Sequence, residues 1–343
     1  MITGDLRKRK DGGSKVITHK AVSGLGLMLL AFVAAIPLSV HSAEQTYKLG
    51  HMFARGSIPD KAANRFAEIV ATTSKGALNV VILPEGILGD ERENLAQLRK
   101  GALHFSVTGD VVVSNIGDKY RVVNMPFVYR DATHALKAYD GELGNTIRSN
   151  IRAEGVEALS WHYVGTRVLT ANKPIRNLSD IKGLNLRLPQ DSAWITTWRA
   201  LGADTQHVQF TELAAALRSG RIDAQENPPN FIRANRLHEH QKYLMTTNHM
   251  PQRQMILASS EFWKKLKEDK RALLRAAARE ASNWATAQAE KQHDDDLIWL
   301  TREGGMTRVD FDHKGVSAAV ADVPNALAGK EGQQILEQIQ AIH

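Results

Sequence analysis

Arg167 and Arg187 each sit beside a strand-like apolar run, in GTRVLT and GLNLRLP, rather than among polar surface residues. A guanidinium keeps its charge at any ordinary pH, so an arginine held against apolar surface requires an anionic partner. Arg187 has no acidic residue within three positions, and Pro189 stiffens the chain just beyond it. When the protein supplies no carboxylate, a ligand can. The two arginines therefore outline a receptor for a carboxylate, although Arg167 is also open to pairing with an acid on a neighbouring strand.

Other chemistry finds little support. The G-x-S-x-G elbow, the P-loop, GxGxxG and HExxH are all missing, and the chain has no cysteine. His238, Glu239, His240 and His249 match no zinc spacing, because alternate residues on a helix point to different faces. His293 followed by Asp294, Asp295 and Asp296 reads as a wet face of a long helix. With no evident acid–base pair, the expectation is a protein that is not an enzyme, with no cofactor and no metal.

The first residues prescribe export. Arg7, Lys8, Arg9 and Lys10, with Lys15 and Lys20, lead into an apolar run from Ala21 to Leu38, followed by the small residues of SVHSA. That order is the n-region, h-region and cleavage site of a secretory signal over residues 1–43. Cutting after Ser42 places Val40 and Ser42 at the recognition positions, and cutting after Ala43 is nearly as good. The rival reading, a membrane anchor, is weakened by Ser23, Gly24, Gly26 and Pro37 within the run. Without cysteine there is neither a disulfide nor a lipid attachment point, which suits a free protein of a Gram-negative periplasm. The net charge of +7 falls to +3 once residues 1–43 and their six Lys/Arg and two Asp/Glu are removed. No basic run interleaved with aromatics remains, so nucleic acid is not an expected partner.

About 300 residues are left, enough for two α/β domains. A strand at Tyr47–Gly50 precedes a helix opened by Ile58-Pro59-Asp60, with Ala62, Ala63, Phe66, Ile69 and Val70 at helical spacing. Leu78–Leu83 reads as a buried strand, Glu91–Lys100 as a helix and Ala102–Val107 as a strand. This β-α-β-α-β order implies a largely parallel sheet with ligand clefts beyond the carboxyl ends of its strands. Gly155–Thr170, Gly183–Leu188 and RIDAQ supply further strands, Leu213–Ser219 a short helix, and Lys270–Arg302 a long alanine-rich one.

Taken in order, GTRVLT, DIKGLNLRLP, FTELAAALRSGRIDAQENP and HEHQKYLMTTNH resemble the substrate-binding subunit of tripartite ATP-independent periplasmic (TRAP) transporters, the C4-dicarboxylate-receptor type. PEGILGDERENLAQLRKGAL and NMPFVY upstream fit the same pattern, so the resemblance spans roughly Tyr47 to Arg302. It implies an α/β fold: a two-domain periplasmic solute-binding protein with a hinge and a long domain-spanning helix. The domains would be 44–164 plus about 253–292, and 165–252 plus about 293–343.

The resemblance also implies roles. Arg187, in R-x-P, would clamp the ligand carboxylate through two parallel bonds, and Arg167, in G-x-R, would add a second cationic contact. Asn227 of Q-E-N-P would bond the carboxylate or a neighbouring hydroxyl, and Phe210 would form an aromatic wall. Glu91 matches an acidic position that reaches ligand hydroxyls, and His249 a histidine near the hinge. His51, with Met52 and Phe53, and Asp110, with Thr108 and Gly109, fall where the family varies with substrate. Trp194 and Trp198 share a helix face; either serves as a core residue, and Trp194 in the cleft would suit a sugar ring or an aromatic acid.

The expected partners are a small carboxylate, a sugar acid favoured over a C4-dicarboxylate, and the membrane subunits of a TRAP transporter. The receptor would be a monomer or a homodimer. A sensory receptor presenting its ligand to a membrane kinase is the main alternative, and an exported enzyme the lesser one.

Overall fold

The structure, a computed structural model, describes residues 45–109, 111–114 and 116–343. The export signal expected over residues 1–43 and the candidate Asp110 lie outside the described residues. From Gln45 onward the described residues form one nine-stranded mixed sheet with helices on its faces. The strands are β1 (Gln45–Gly50), β2 (Leu78–Leu83), β3 (Phe105–Gly109), β4 (Val156–Ala171), β5 (Asn185–Leu188), β6 (Asp204–His207), β7 (Ala224–Asn227), β8 (Tyr243–Ser259) and β9 (Thr307–Val309). Their order is β2-β1-β3-β8-β4-β7-β5-β6, with β9 beside β8.

The expectation of a largely parallel sheet holds at the two ends and for β9 on β8, but not among the strands that join the ends. Strand β1 is parallel to β2 and β3, and β5 is parallel to β6 and β7. Between them β8 runs antiparallel to both β3 and β4, and β4 antiparallel to β7. The two long central strands pass through both halves, so the parallel ends become one sheet through an antiparallel spine. Their pairing shifts register between Tyr163 and Gly165 and again between Arg167 and Leu169. Such irregularities bend a strand and re-aim its side chains. Arg167 sits between these two shifts.

Apolar clusters pack against both ends. Phe66, Val70 and Phe105 meet Ala277, Ala281 and Ala285 of the long helix Glu268–Arg302 on one side. The alanine face brings that helix close to β4, whose backbone at Tyr163 donates to Thr286 Oγ1 at 3.1 Å. Leu186, Leu188, Trp198 and Leu201 belong to a second cluster, and Leu217, Ile222 and Ile232 to a third. The C-terminal helix Val323–Gln340 packs on residues 118–124, where Lys119 pairs with Glu331 at 2.9 Å. None of the helices among the described residues is long and apolar enough to cross a membrane.

Candidate functional site

Three adjacent strands bring the cationic residues to one face. In β5, Leu186 and Leu188 are buried in the core, so the period of two turns Arg187 to the opposite face. Strand β7 carries Asn227 beside it, and β4 carries Arg167 beside β7. The carboxyl end of β3 supplies Gly109, and β8 supplies Gln252 and Gln254. Together they border a cleft with an empty volume of about 390 Å³, walled also by Trp194, Phe210 and Phe231.

Arg187 is 3 % exposed. Its Nε donates to the Val208 carbonyl at 2.8 Å, and its terminal nitrogens have no hydrogen-bond partner among the described residues. Burial pulls its pKa down to about 10, opposed by the charges of Glu226 and Glu91 and assisted by that of Arg167. It stays charged at neutral pH and lies 5.9 Å from the Phe210 ring centre.

Arg167 is in a different condition. Its guanidinium forms a bidentate pair with Glu226, through Nε to Oε2 and through Nη2 to Oε1 at 2.7 Å. Gln252 Oε1 accepts from Nη1 at 2.6 Å and Asn227 Oδ1 from Nη2 at 3.1 Å. The Trp194 ring stacks 4.5 Å from the guanidinium carbon. Arg167 thus borders the cleft with its charge already balanced by a strand neighbour. Burial pushes the Glu226 carboxyl up, but Arg167 and the hydrogen bond from His249 outweigh it and hold it below the usual range.

Glu91 opens the helix Glu91–Arg99 directly after its cap. Asp90 accepts from Arg92 N at 2.8 Å and Glu93 N at 3.1 Å, while Glu93 returns to Asp90 N, a reciprocal capping box. The cap fixes Glu91 at the positive end of the helix, where Oε1 accepts from Gly109 N across the cleft wall. A β-carbon on Gly109 would lie 2.9 Å from that oxygen and 3.3 Å from Gln254 Nε2, so glycine keeps this corner open.

Trp194 lies in the first turn of the helix Ser192–Ala200, whose cap Asp191 accepts from Ala193 N at 2.8 Å and Trp194 N at 3.4 Å. Asp191 is held in turn by Ser114 Oγ at 2.5 Å and Asn124 Nδ2 at 3.3 Å.

Of the residues singled out from sequence, Arg187, Arg167, Asn227, Phe210, Glu91 and Trp194 converge on this cleft. His249 and His51 are not among its lining residues. His249 stands behind Glu226, with Nε2 2.9 Å from Oε2 and Nδ1 2.8 Å from Thr247 Oγ1. Burial lowers its pKa against the pull of Glu226. His51 is buried beneath Phe53, accepting from Phe53 N at 3.2 Å, with Nε2 3.4 Å from Asp60. Its neighbours Met52 and Phe53 reach the cleft in its place. Sequence reasoning missed Glu226, Gln252 and Gln254. Glu226 lies inside the Q-E-N-P motif, and its position next to the predicted partner Asn227 was the available signal.

Comparison with known proteins agrees with this geometry. The family model of bacterial extracellular solute-binding protein, family 7, matches residues 49–328. A solute-binding protein of Roseobacter denitrificans is 29 % identical over 316 residues, 92 % of this chain and 97 % of the relative. Its crystal structure with bound L-galactonate superposes with a TM-score of 0.82 at 28 % identity, covering 87 % of this chain and 99 % of that one. A TRAP periplasmic solute-binding protein from Bordetella, with density assigned as pantoate, gives a TM-score of 0.84 at 27 % identity over 88 % of this chain and all 100 % of that one. A sugar-acid-binding protein from Advenella mimigardefordensis in complex with galactonate gives 0.83 at 25 % identity, covering 88 % and 99 %. The chain belongs to family 7 of the bacterial extracellular solute-binding proteins, the two-domain α/β substrate-binding subunits of TRAP transporters.

Proposed function

We propose that the protein is a periplasmic receptor for a hydroxylated monocarboxylate, an aldonate or uronate, which it delivers to the membrane subunits of a TRAP transporter. One observation carries the ligand class. Arg187 is buried with its terminal nitrogens unpartnered among the described residues, while Arg167 is already neutralised by Glu226. A desolvated cation facing a cleft gains most from a carboxylate, whose two oxygens match the guanidinium fork. Among the described residues the cleft therefore offers one unbalanced cation, suited to one carboxylate. A second carboxylate on the ligand would be desolvated against Glu91 and amides, without a further counter-charge among the described residues. Hydroxyl groups suit that same wall. The aldonates held by the Roseobacter and Advenella relatives have this composition, one carboxylate and several hydroxyls.

The work of the protein is binding and closure rather than catalysis. The lobes would be 44–164 with about 253–292, and 165–252 with about 293–343. Phe53 from the first meets Phe231 and Phe210 from the second, with ring centres 5.4 and 6.3 Å apart, and Phe53 and Phe231 are already buried, so this is a seam that opening would uncover. Closure removes water from the Arg187–carboxylate pair and so strengthens discrimination against neutral ligands. Titration calorimetry with aldonates, uronates, succinate, malate and the corresponding alditols tests the assignment. Micromolar or tighter binding confined to hydroxylated monocarboxylates is expected. Preference for a C4-dicarboxylate, or equal binding of an alditol and its acid, would refute it.

A further inference from the structure

We infer that Trp194 and Gln254 form a second recognition point in the cleft, one that reads a hydroxyl of the bound acid rather than its carboxylate. This rests on the sugar-acid reading above. Both residues line the cleft, at 4 % and 2 % exposure. Trp194 Nε1 and Gln254 Oε1 are buried and have no hydrogen-bond partner among the described residues.

The neighbouring amides differ. Asn227 gives its Nδ2 to Gln225 at 2.6 Å and receives Arg167 at Oδ1. Gln252 gives its Nε2 to the Arg253 carbonyl at 2.9 Å and receives Arg167 at Oε1. Those two serve the protein itself. The indole N–H and the Gln254 amide oxygen have no such partner among the described residues.

Buried polar groups rarely stay unpaired, because losing water without a replacement bond is costly. An indole N–H only donates and an amide oxygen only accepts. A hydroxyl does both, so the hydroxyls of a polyhydroxylated ligand suit both groups. A carboxylate cannot donate to the amide oxygen as a hydroxyl does. Each residue is also held in place. The Asp191 cap and the stack on Arg167 fix Trp194, and Gln254 lies opposite Gly109 across the β3–β8 ladder, where no β-carbon crowds it.

The test measures dissociation constants of the wild type, Trp194→Phe and Gln254→Leu for the tightest of galactonate, gulonate and glucuronate, and for the monodeoxy counterparts of that acid. The phenylalanine keeps a ring over Arg167 and removes only the donor. Leucine keeps the approximate volume of the glutamine. Melting temperatures of the unliganded variants check folding, and the two variants report independently. The wild type should bind at least one deoxy acid about 10- to 100-fold more weakly than the parent. Each variant should weaken the parent about tenfold and narrow that one gap to within about threefold. Variants that bind the parent as the wild type does overturn the inference. So do variants that weaken parent and all deoxy acids by one common factor, as a structural role or a resident water would. If the wild type binds none of the three hydroxylated acids while binding succinate, the sugar-acid reading falls and the pair falls with it. If it binds them but the gap is unaffected by either variant, the inference alone fails.

Discussion

Replacing Glu226 with glutamine removes one charge and almost no volume from a site that is 1 % exposed. In the wild type that carboxylate takes two bonds from Arg167 and one from His249. Breaking one side of a buried pair costs about 3–5 kcal/mol, because the remaining charge is left desolvated. Here Gln252 and Asn227 still accept from Arg167, which favours the lower end. A chain of this size loses about 2 °C of melting temperature per kcal/mol, so a drop of about 6–10 °C is expected at pH 7. The pH dependence follows from the depressed Glu226 value. A lowered carboxylate contributes stability above its unfolded pKa and loses it as pH falls through the folded value, so the gap between wild type and variant narrows in acid. The substitution also unmasks Arg167 at the cleft wall. Succinate should then bind at least tenfold more tightly than it binds the wild type, and should restore part of the lost melting temperature. Scanning calorimetry and titration calorimetry read both effects. A melting temperature within 2 °C of wild type together with unchanged succinate affinity would refute the charge balance argued for this cleft.

Two further perturbations test separate parts of the account. Gly109→Ala places a β-carbon 2.9 Å from Glu91 Oε1, so ligand affinity should fall about tenfold or more by calorimetry while the melting temperature moves by about 3 °C or less. Equal affinity would show that this corner does not meet the ligand. His162 is fully buried in β4 with a pKa pushed down to about 3 by desolvation. A histidine kept neutral by burial stabilises the fold above its unfolded pKa near 6.5, and stability falls below that pH by about 1.4 kcal/mol per unit. Urea denaturation between pH 7 and pH 4 should show a slope shallower by about that amount in His162→Leu, and an identical slope would contradict the burial.

Much of the fold was written in local patterns. Ile58-Pro59-Asp60 opens a helix as expected, and Leu78–Leu83 is the strand its apolar run announces. The long alanine-rich helix begins at Glu268 and ends at Arg302, close to its expected span. Strand β8 escaped notice. Its sequence, YLMTTNHMPQRQMILAS, is buried on both faces, so apolar–polar alternation is lost, and Pro251 interrupts the strand signature. Missing β8 also hid the antiparallel spine and the glutamines it carries. At the site, Arg187 was legible because nothing near it in sequence could neutralise it. The state of Arg167 was not, since its partner lies 59 positions away and meets it only through the β4–β7 register. The two histidines drew attention for their chemistry, but burial beside Asp60 and Glu226 gives them work within the protein.

The central claim is that Arg187 clamps the ligand carboxylate, and Arg187→Ala tests it most directly when the wild type and variant are melted with and without a saturating aldonate. At a ligand concentration 100 times Kd the wild type gains about 2.7 kcal/mol, a rise of about 5 °C for this chain length. Losing a buried charge-assisted pair weakens binding by at least 2 kcal/mol, or about 30-fold, so most of that rise should vanish in the variant while its unliganded far-UV circular dichroism is unchanged. A ligand-induced rise equal to that of the wild type would contradict the account.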